Sequence, residues 1–276
     1  MEFDLDAYFK RIGFNGARAP SLETLAAVHK HHTRTIAFEN LDPFLRRPFN
    51  LDLASLQRKL VQAGRGGYCF EQNLLLSRAL REIGFEVTDL AGRVVWNATG
   101  DAVRPRSHML LLVRVHGRRY IADVGFGGQT LTSPLRLESD VVQVTPHESY
   151  RLLRLHEKRE IFEMQSLIGE EWKGLYRFDL QEQFPADYEV TSWYLSNHPQ
   201  SPFINGLVAA RADHDCRYTL RNSEFAVHHL DGYTVRKNLG AAAELRDTLE
   251  DVFRIAVADI PELDEGLERV VKNMPR

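Results

Sequence analysis

Arg65-Gly66-Gly67-Tyr68-Cys69-Phe70-Glu71-Gln72-Asn73 is the stretch on which the reading of this chain turns. Two adjacent glycines let the backbone bend sharply. A run with helical spacing follows, through Leu74, Leu75, Leu76, Ala79, Leu80 and Ile83, and Gly84 closes it. Cys69 therefore stands at the start of a helix. The positive end of the helix dipole there favours the thiolate, the reactive form of the side chain. Position alone leaves two readings open: an activated nucleophile, or the small buried thiol that most free cysteines are.

Upstream, the pattern is helical. Leu5, Tyr8, Phe9 and Ile12 mark a short amphipathic helix that Gly13 stops. Pro20 and Ser21 open a second, with Leu22, Leu25, Val28 and His29 on one face, and Leu53, Leu56 and Leu60 mark a third. Between them, Thr35 to Pro43 loses the period and reads as a Pro-containing loop. Glu39 lies among apolar neighbours there, with Arg65 as a candidate partner.

After Gly84 the period changes to that of strands. Phe85–Leu90, Arg93–Trp96, Met109–Val115 and Arg119–Val124 are short, β-branched or aromatic runs, followed by Val141–Val144, Tyr150–Leu155, Ile161–Met164 and Leu175–Phe178. Gly125-Phe126-Gly127-Gly128 ends the hairpin in a flexible loop. Trp193 to Ala210 carries turn residues, three further strand-like runs span Cys216 to Arg236, and helical patterns through Leu245–Ala256 and Leu267–Val270 close the chain. The expected fold is α+β: a helical bundle over residues 1–84, an antiparallel β-barrel over 85–195, and an α/β lid over 196–276.

Composition narrows the function. At 276 residues, two or three packed subdomains are expected. A formal net charge of -3 offers no attraction for nucleic acid or an anionic membrane. No apolar run is long enough to span a bilayer, and the acidic start Met1-Glu2-Phe3-Asp4 lacks a signal-peptide pattern. Two cysteines, Cys69 and Cys216, do not make a disulfide framework, so the expected setting is a reducing cytoplasm. Of the clustered histidines, His29 and His32 share a helical face, but no third ligand is placed to complete a metal site, and solvent-exposed side chains are expected.

A cysteine nucleophile needs a base, and the base needs an orienting group. His108 opens the Met109–Val115 strand, and Asp123 is a carboxylate in an apolar return strand, costly unless paired. If His116-Gly117 is a two-residue loop, Val115 faces Arg118 and Leu110 faces Asp123. His108 is then a diagonal neighbour on the same face, at about 7–8 Å between Cα atoms. A three-residue loop puts Asp123 on the other face. Loop length thus decides whether the pair forms.

These residues resemble the arylamine N-acetyltransferases. The matching pieces are Tyr8-Phe9-Lys10-Arg11-Ile12-Gly13, Ala37-Phe38-Glu39-Asn40-Leu41-Asp42, the Arg65–Asn73 stretch, Ile83-Gly84-Phe85, Arg106-Ser107-His108 and Asp123-Val124-Gly125-Phe126-Gly127-Gly128, with His198-Pro199-Gln200-Ser201-Pro202-Phe203 matching more loosely. The resemblance implies a Cys69–His108–Asp123 triad in a papain-like arrangement and the same three-part fold. It also implies transfer of acetyl from acetyl-CoA, as co-substrate, to an arylamine, arylhydrazine or N-hydroxyarylamine. Glu39 and Arg65 match positions that support the site. No metal and no tightly bound cofactor is expected, and the assembly is a monomer or homodimer. Candidate acceptor-pocket residues are Phe38, Val95, Phe126 and Phe203. Candidate contacts to the coenzyme pyrophosphate are Gly125, Phe126, Gly127, Gly128 and Thr130. The alternative is a papain- or transglutaminase-like cysteine hydrolase, or an acyltransferase on another acceptor.

Overall fold

The computed structural model describes residues 3–48, 50–98, 100, 103–156 and 158–273. Helix α1 (Leu5–Ile12) begins where Asp4 accepts the Ala7 N–H and ends at Gly13 with φ 67°. Helix α2 (Leu22–Thr35) is capped by Ser21. Its inward face is Leu25, Val28, His29 and His32, whereas Leu22, in the first turn, is exposed. The segment expected as a loop forms strand β1 (Phe38–Glu39) and one helical turn, α3 (Leu41–Phe44), which takes in Pro43. Helix α4 (Leu53–Leu56) runs on into a π-helical turn, Gln57–Gln62. Helix α5 (Cys69–Ile83) starts at Cys69 itself and ends at Gly84, φ 102°.

Eight strands follow: β2 (Glu86–Val94), β3 (His108–Val115), β4 (Arg118–Ala122), β5 (Leu135–Arg136), β6 (Gln143–Val144), β7 (Ser149–His156), β8 (Ile161–Ile168) and β9 (Glu171–Asp179). They form an antiparallel sheet in the order β5-β4-β3-β2-β9-β8-β7-β6. The sheet nearly closes on itself, because the Gln143 side chain on β6 donates to the Arg136 carbonyl on β5 and accepts its N–H. Strand β2 is continuous where two separate runs were expected. Gly92 pairs on both sides, with His108 and Phe178, and this ladder overrides the local break at Ala91-Gly92.

The near-continuous apolar run of β3 has a simple cause: both faces are buried. Met109, Leu111, Val113 and Val115 pack among the helices with Leu25, Val28 and Leu76. Leu110 and Leu112 pack inside the barrel with Tyr150, Phe162 and Tyr176. The same strand is thus a wall shared by two cores.

Helix α6 (Pro185–Asn197) was not expected. It buries Tyr188, Ser192, Leu195 and Ser196 and turns Val190 and Trp193 to solvent, so no apolar stripe marks it. Helix α7 (Pro202–Asn205) leads into β10 (Val208–Ala212), β11 (Cys216–Arg221), β12 (Glu224–His229) and β13 (Thr234–Asn238). A second antiparallel sheet takes the order β1-β10-β11-β12-β13. The N-terminal segment therefore supplies an edge strand to the C-terminal sheet. Helices α8 (Ala242–Asp247), which continues as a π-helical turn, and α9 (Leu263–Lys272) complete a third core with Leu41, Phe44 and Leu220.

Candidate active site

The hairpin between β3 and β4 has a two-residue loop. His116 and Gly117 have φ 48° and 76°, the left-handed pair that a tight hairpin requires, and Val115 pairs with Arg118. Leu111 pairs with Ala122, so the next pair along is Leu110 and Asp123. His108 and Asp123 then meet: Nε2 of the imidazole donates to Asp123 Oδ2 at 2.8 Å, both side chains being buried.

Asp123 is held from several directions. Its Oδ1 accepts from Asn73 Nδ2 at 3.0 Å and from the Gly125 N–H at 2.9 Å. Its own N–H donates to His29 Nε2 at 3.2 Å. Burial opposes its charge, but His108 and these donors hold the carboxyl below the ordinary carboxylate range. Burial likewise opposes the charge on His108. The Asp123 carboxylate overrides it, aided by the Cys69 thiol, and the imidazole is pushed up to about 10. The Cys69 thiol donates to the Ser107 carbonyl at 3.7 Å, one residue from His108. The rings of Tyr176 and Phe126 enclose the imidazole, with centroids at 4.6 and 5.1 Å.

An ion cluster lies behind the turn that leads to Cys69. Arg65 donates twice to Glu39 Oε1, at 2.9 and 2.7 Å, and Glu39 Oε2 accepts the Leu41 N–H. Lys59 bridges Asp42 and Glu71 at 2.6 and 2.7 Å. Glu71 also accepts the Tyr68 N–H, capping the helix one residue before Cys69. Burial lifts the Glu71 carboxyl to about 7, opposed by Lys59 and reinforced by Asp42 and Glu39. Gly66 is required by close approach: a β-carbon there would lie 2.3 Å from the Ala37 carbonyl oxygen.

Cys69 and His108 open onto a cavity of about 620 Å³. Phe38, Phe126 and Phe203 line it, as do Gly125, Gly127 and Gly128. Phe203 is held in place by Asn40, whose amide donates to the Phe203 and Gly206 carbonyls.

Two expectations need correction. Val95 faces a different depression, beside Trp172 and Gly174, while its neighbours Val94 and Trp96 line the cavity. Strand β2 ends at Val94 and a turn follows, closed by the Ala98 N–H on the Val95 carbonyl, so strand alternation does not carry through Val95. The Thr130 hydroxyl accepts the Phe126 N–H at 2.6 Å, and the Gly125 N–H is bound to Asp123. The Thr130 hydroxyl oxygen and the Gly125 N–H are thus engaged within the loop itself.

His29 and His32 are buried, not solvent-exposed. His32 sits between the Tyr8 hydroxyl and Gln72, and Gln72 in turn donates to the Ala37 and Gly67 carbonyls beside the Cys69 turn. No cluster of metal-ligating side chains occurs among the described residues. Asn73, Trp96 and Tyr176 were given no role in the sequence reading. Nothing in the sequence separates Asn73 from its polar neighbours Glu71 and Gln72.

A sequence profile of the N-acetyltransferase family matches residues 21–261. The arylamine N-acetyltransferase of Mycobacterium tuberculosis (strain ATCC 25618 / H37Rv) is 44% identical over 100% of this chain and 98% of that protein. The chain belongs to the arylamine N-acetyltransferase family. A second family member, the arylamine N-acetyltransferase / N-hydroxyarylamine O-acetyltransferase of Salmonella typhimurium, is 40% identical, covering 93% of this chain and 90% of that one. The structure of Mycobacterium marinum arylamine N-acetyltransferase in complex with CoA matches this fold with a TM-score of 0.92 at 42% identity, covering 98% and 99% of the two chains.

Proposed function

We propose that this chain transfers the acetyl group of acetyl-CoA to arylamines, arylhydrazines or N-hydroxyarylamines through an acetyl-cysteine on Cys69. The observation that carries the reading is the meeting of Cys69 with the His108–Asp123 pair in one cavity whose walls are largely aromatic and apolar. Family membership supplies the donor and the acceptor class.

The Cys69 thiolate attacks the thioester carbonyl of acetyl-CoA. The new S–C bond forms, the bond to the CoA sulfur breaks, and the imidazolium of His108 gives its proton to the departing thiolate. Asp123 steadies the ring in both charge states. The acceptor nitrogen then attacks the acetyl-cysteine carbonyl, neutral His108 takes its proton, and Cys69 leaves as thiolate. This is a ping-pong sequence. The Cys69 N–H, at the first turn of α5, is the candidate donor to the oxyanion, since helix N-termini present unpaired N–H groups. Phe38, Phe126 and Phe203 form the slot for a flat aromatic acceptor. Glu39 and Arg65 support the turn that presents Cys69.

We place the protein in the cytoplasm, as monomer or homodimer; both cysteines are free, and no described helix is long and apolar enough to cross a membrane. The deciding experiment is intact-mass measurement after mixing with acetyl-CoA alone. An adduct of about 42 Da, acetyl replacing hydrogen, is expected on wild type and not on Cys69→Ala. Its persistence in Cys69→Ala refutes the nucleophile assignment, and rapid loss of the adduct to water without any amine favours a hydrolase.

A further inference from the structure

Asn73 lies one helical turn after Cys69, so both side chains leave α5 on the same side. Its amide is fully buried and makes three bonds, all to the hairpin. Nδ2 donates to the Met109 carbonyl at 2.8 Å and to Asp123 Oδ1 at 3.0 Å. Oδ1 accepts the Val124 N–H at 3.1 Å. The partners dictate this orientation of the amide, because only its oxygen can receive an N–H and only its nitrogen can satisfy two acceptors.

We propose that Asn73 is a positioning residue, which locks the helix carrying Cys69 to the hairpin carrying His108 and Asp123 and fixes which Asp123 oxygen meets the imidazole. The inference rests on the triad reading above. Asn73 and the Gly125 N–H together occupy Oδ1, which leaves Oδ2 to His108. Two of the three bonds go to backbone on either side of the hairpin, so the distance from thiol to imidazole is set by the same group that orients the carboxylate. Asparagine alone suits the position. Aspartate keeps the acceptor for Val124 but loses both donors and sets a second carboxyl against Asp123. Leucine leaves the Met109 carbonyl and the Val124 N–H buried without partners.

The test compares wild type, Asn73→Ala and Asn73→Asp in acetyl-enzyme formation and in the pH profile of Cys69 alkylation by iodoacetamide, with circular dichroism to verify folding. Asn73→Ala is expected to form acetyl-enzyme about 10²-fold more slowly, the scale of a displacement near 1 Å at a reacting group, and to shift the alkylation profile. Asn73→Asp keeps the volume. Two carboxyls sharing one site hold a proton between them, so its acetylation is expected to recover toward low pH, where the added carboxyl can donate to Asp123. An Asn73→Ala protein with lowered thermal stability but a wild-type alkylation profile overturns the proposal. If Asn73→Ala does not fold, Asn73→Asp decides, and a wild-type pH dependence there overturns it equally. Failure of wild type to form the adduct refutes the nucleophile assignment and with it the role of Asn73. A normal wild-type adduct with unaltered profiles in the variants refutes the role of Asn73 alone.

Discussion

Gly125 and Cys69 are packed so closely that a β-carbon on Gly125 would stand 2.7 Å from the Cys69 Cα and 3.0 Å from its carbonyl oxygen. The loop after β4 passes directly over the first residue of α5. Both are backbone obstacles, so no side-chain rotation relieves the contact. Gly125→Ala is expected to lose about 1–3 kcal/mol of stability through overpacking. It should also slow acetyl-enzyme formation, because the shift moves Cys69 against His108. Denaturant unfolding and rapid-quench acetylation measure the two effects. Unchanged stability would show that the loop is free to move away.

Arg65 and Glu39 form a buried pair, with the Glu39 side chain 0% and the Arg65 side chain 10% exposed. Removing one partner leaves a buried charge uncompensated, at about 3–5 kcal/mol. Arg65→Met is expected to fall in this range by urea denaturation. Lys59 and Asp42 adjoin the pair, so a cost well under 1 kcal/mol would mean that Lys59 takes over the charge of Glu39.

Stability should depend on pH in two windows. Burial lowers His29 to about 4 and His32 to about 3. Between these values and the unfolded histidine pKa near 6.5, the unfolded chain binds more protons than the folded one. Their contribution is therefore complete above about pH 6.5 and is lost as pH falls toward 4 and below. His108 behaves oppositely. Its folded value near 10 lies above the unfolded one, so its contribution is complete below about pH 6.5 and is lost as pH rises through 10. Thermal melts from pH 4 to 10 should show a fall at both ends. The acid limb should diminish in His29→Asn, and an unaltered acid limb in that variant would rule out His29 as a source.

Trp96 borders both the Cys69 cavity and the outer depression, whereas its neighbour Val95 borders only the outer depression. Trp96→Ala is expected to lower kcat/KM for aromatic amines by about 10-fold, the scale of lost apolar contact in a binding pocket. Val95→Ala should leave it unchanged. Steady-state kinetics with one arylamine at fixed acetyl-CoA distinguishes the two, and an equal loss in both would show that the acceptor does not lie against Trp96.

Local chemistry made a large part of this protein legible in its sequence. The caps at Ser21, Gly13 and Gly84 and the helix starting at Cys69 follow from interactions within a few residues, whereas the two-residue length of the His116-Gly117 loop was one of two open possibilities that the structure decided. The hairpin register followed from the loop, and the register placed His108 beside Asp123. Helix α6 was invisible because two of its four inward residues are serines, while valine and tryptophan point outward, so no apolar face stands out.

By itself, the sequence determined which side chains stand at turns, caps and strand ends, and so named the candidate nucleophile, base and acid. Only the tertiary structure decided how far apart they stand. That distance is set by contacts between segments remote along the chain: Asn73 to Asp123, His29 to the Asp123 backbone, and Phe38 and Glu39 of β1 to Ala210 and Ala209 of β10. Such contacts depend on burial, which removes water as a competing partner and makes each unsatisfied polar group costly. No local pattern records that cost, so His29, His32 and Asn73 acquire their roles only when the helices close over the barrel wall.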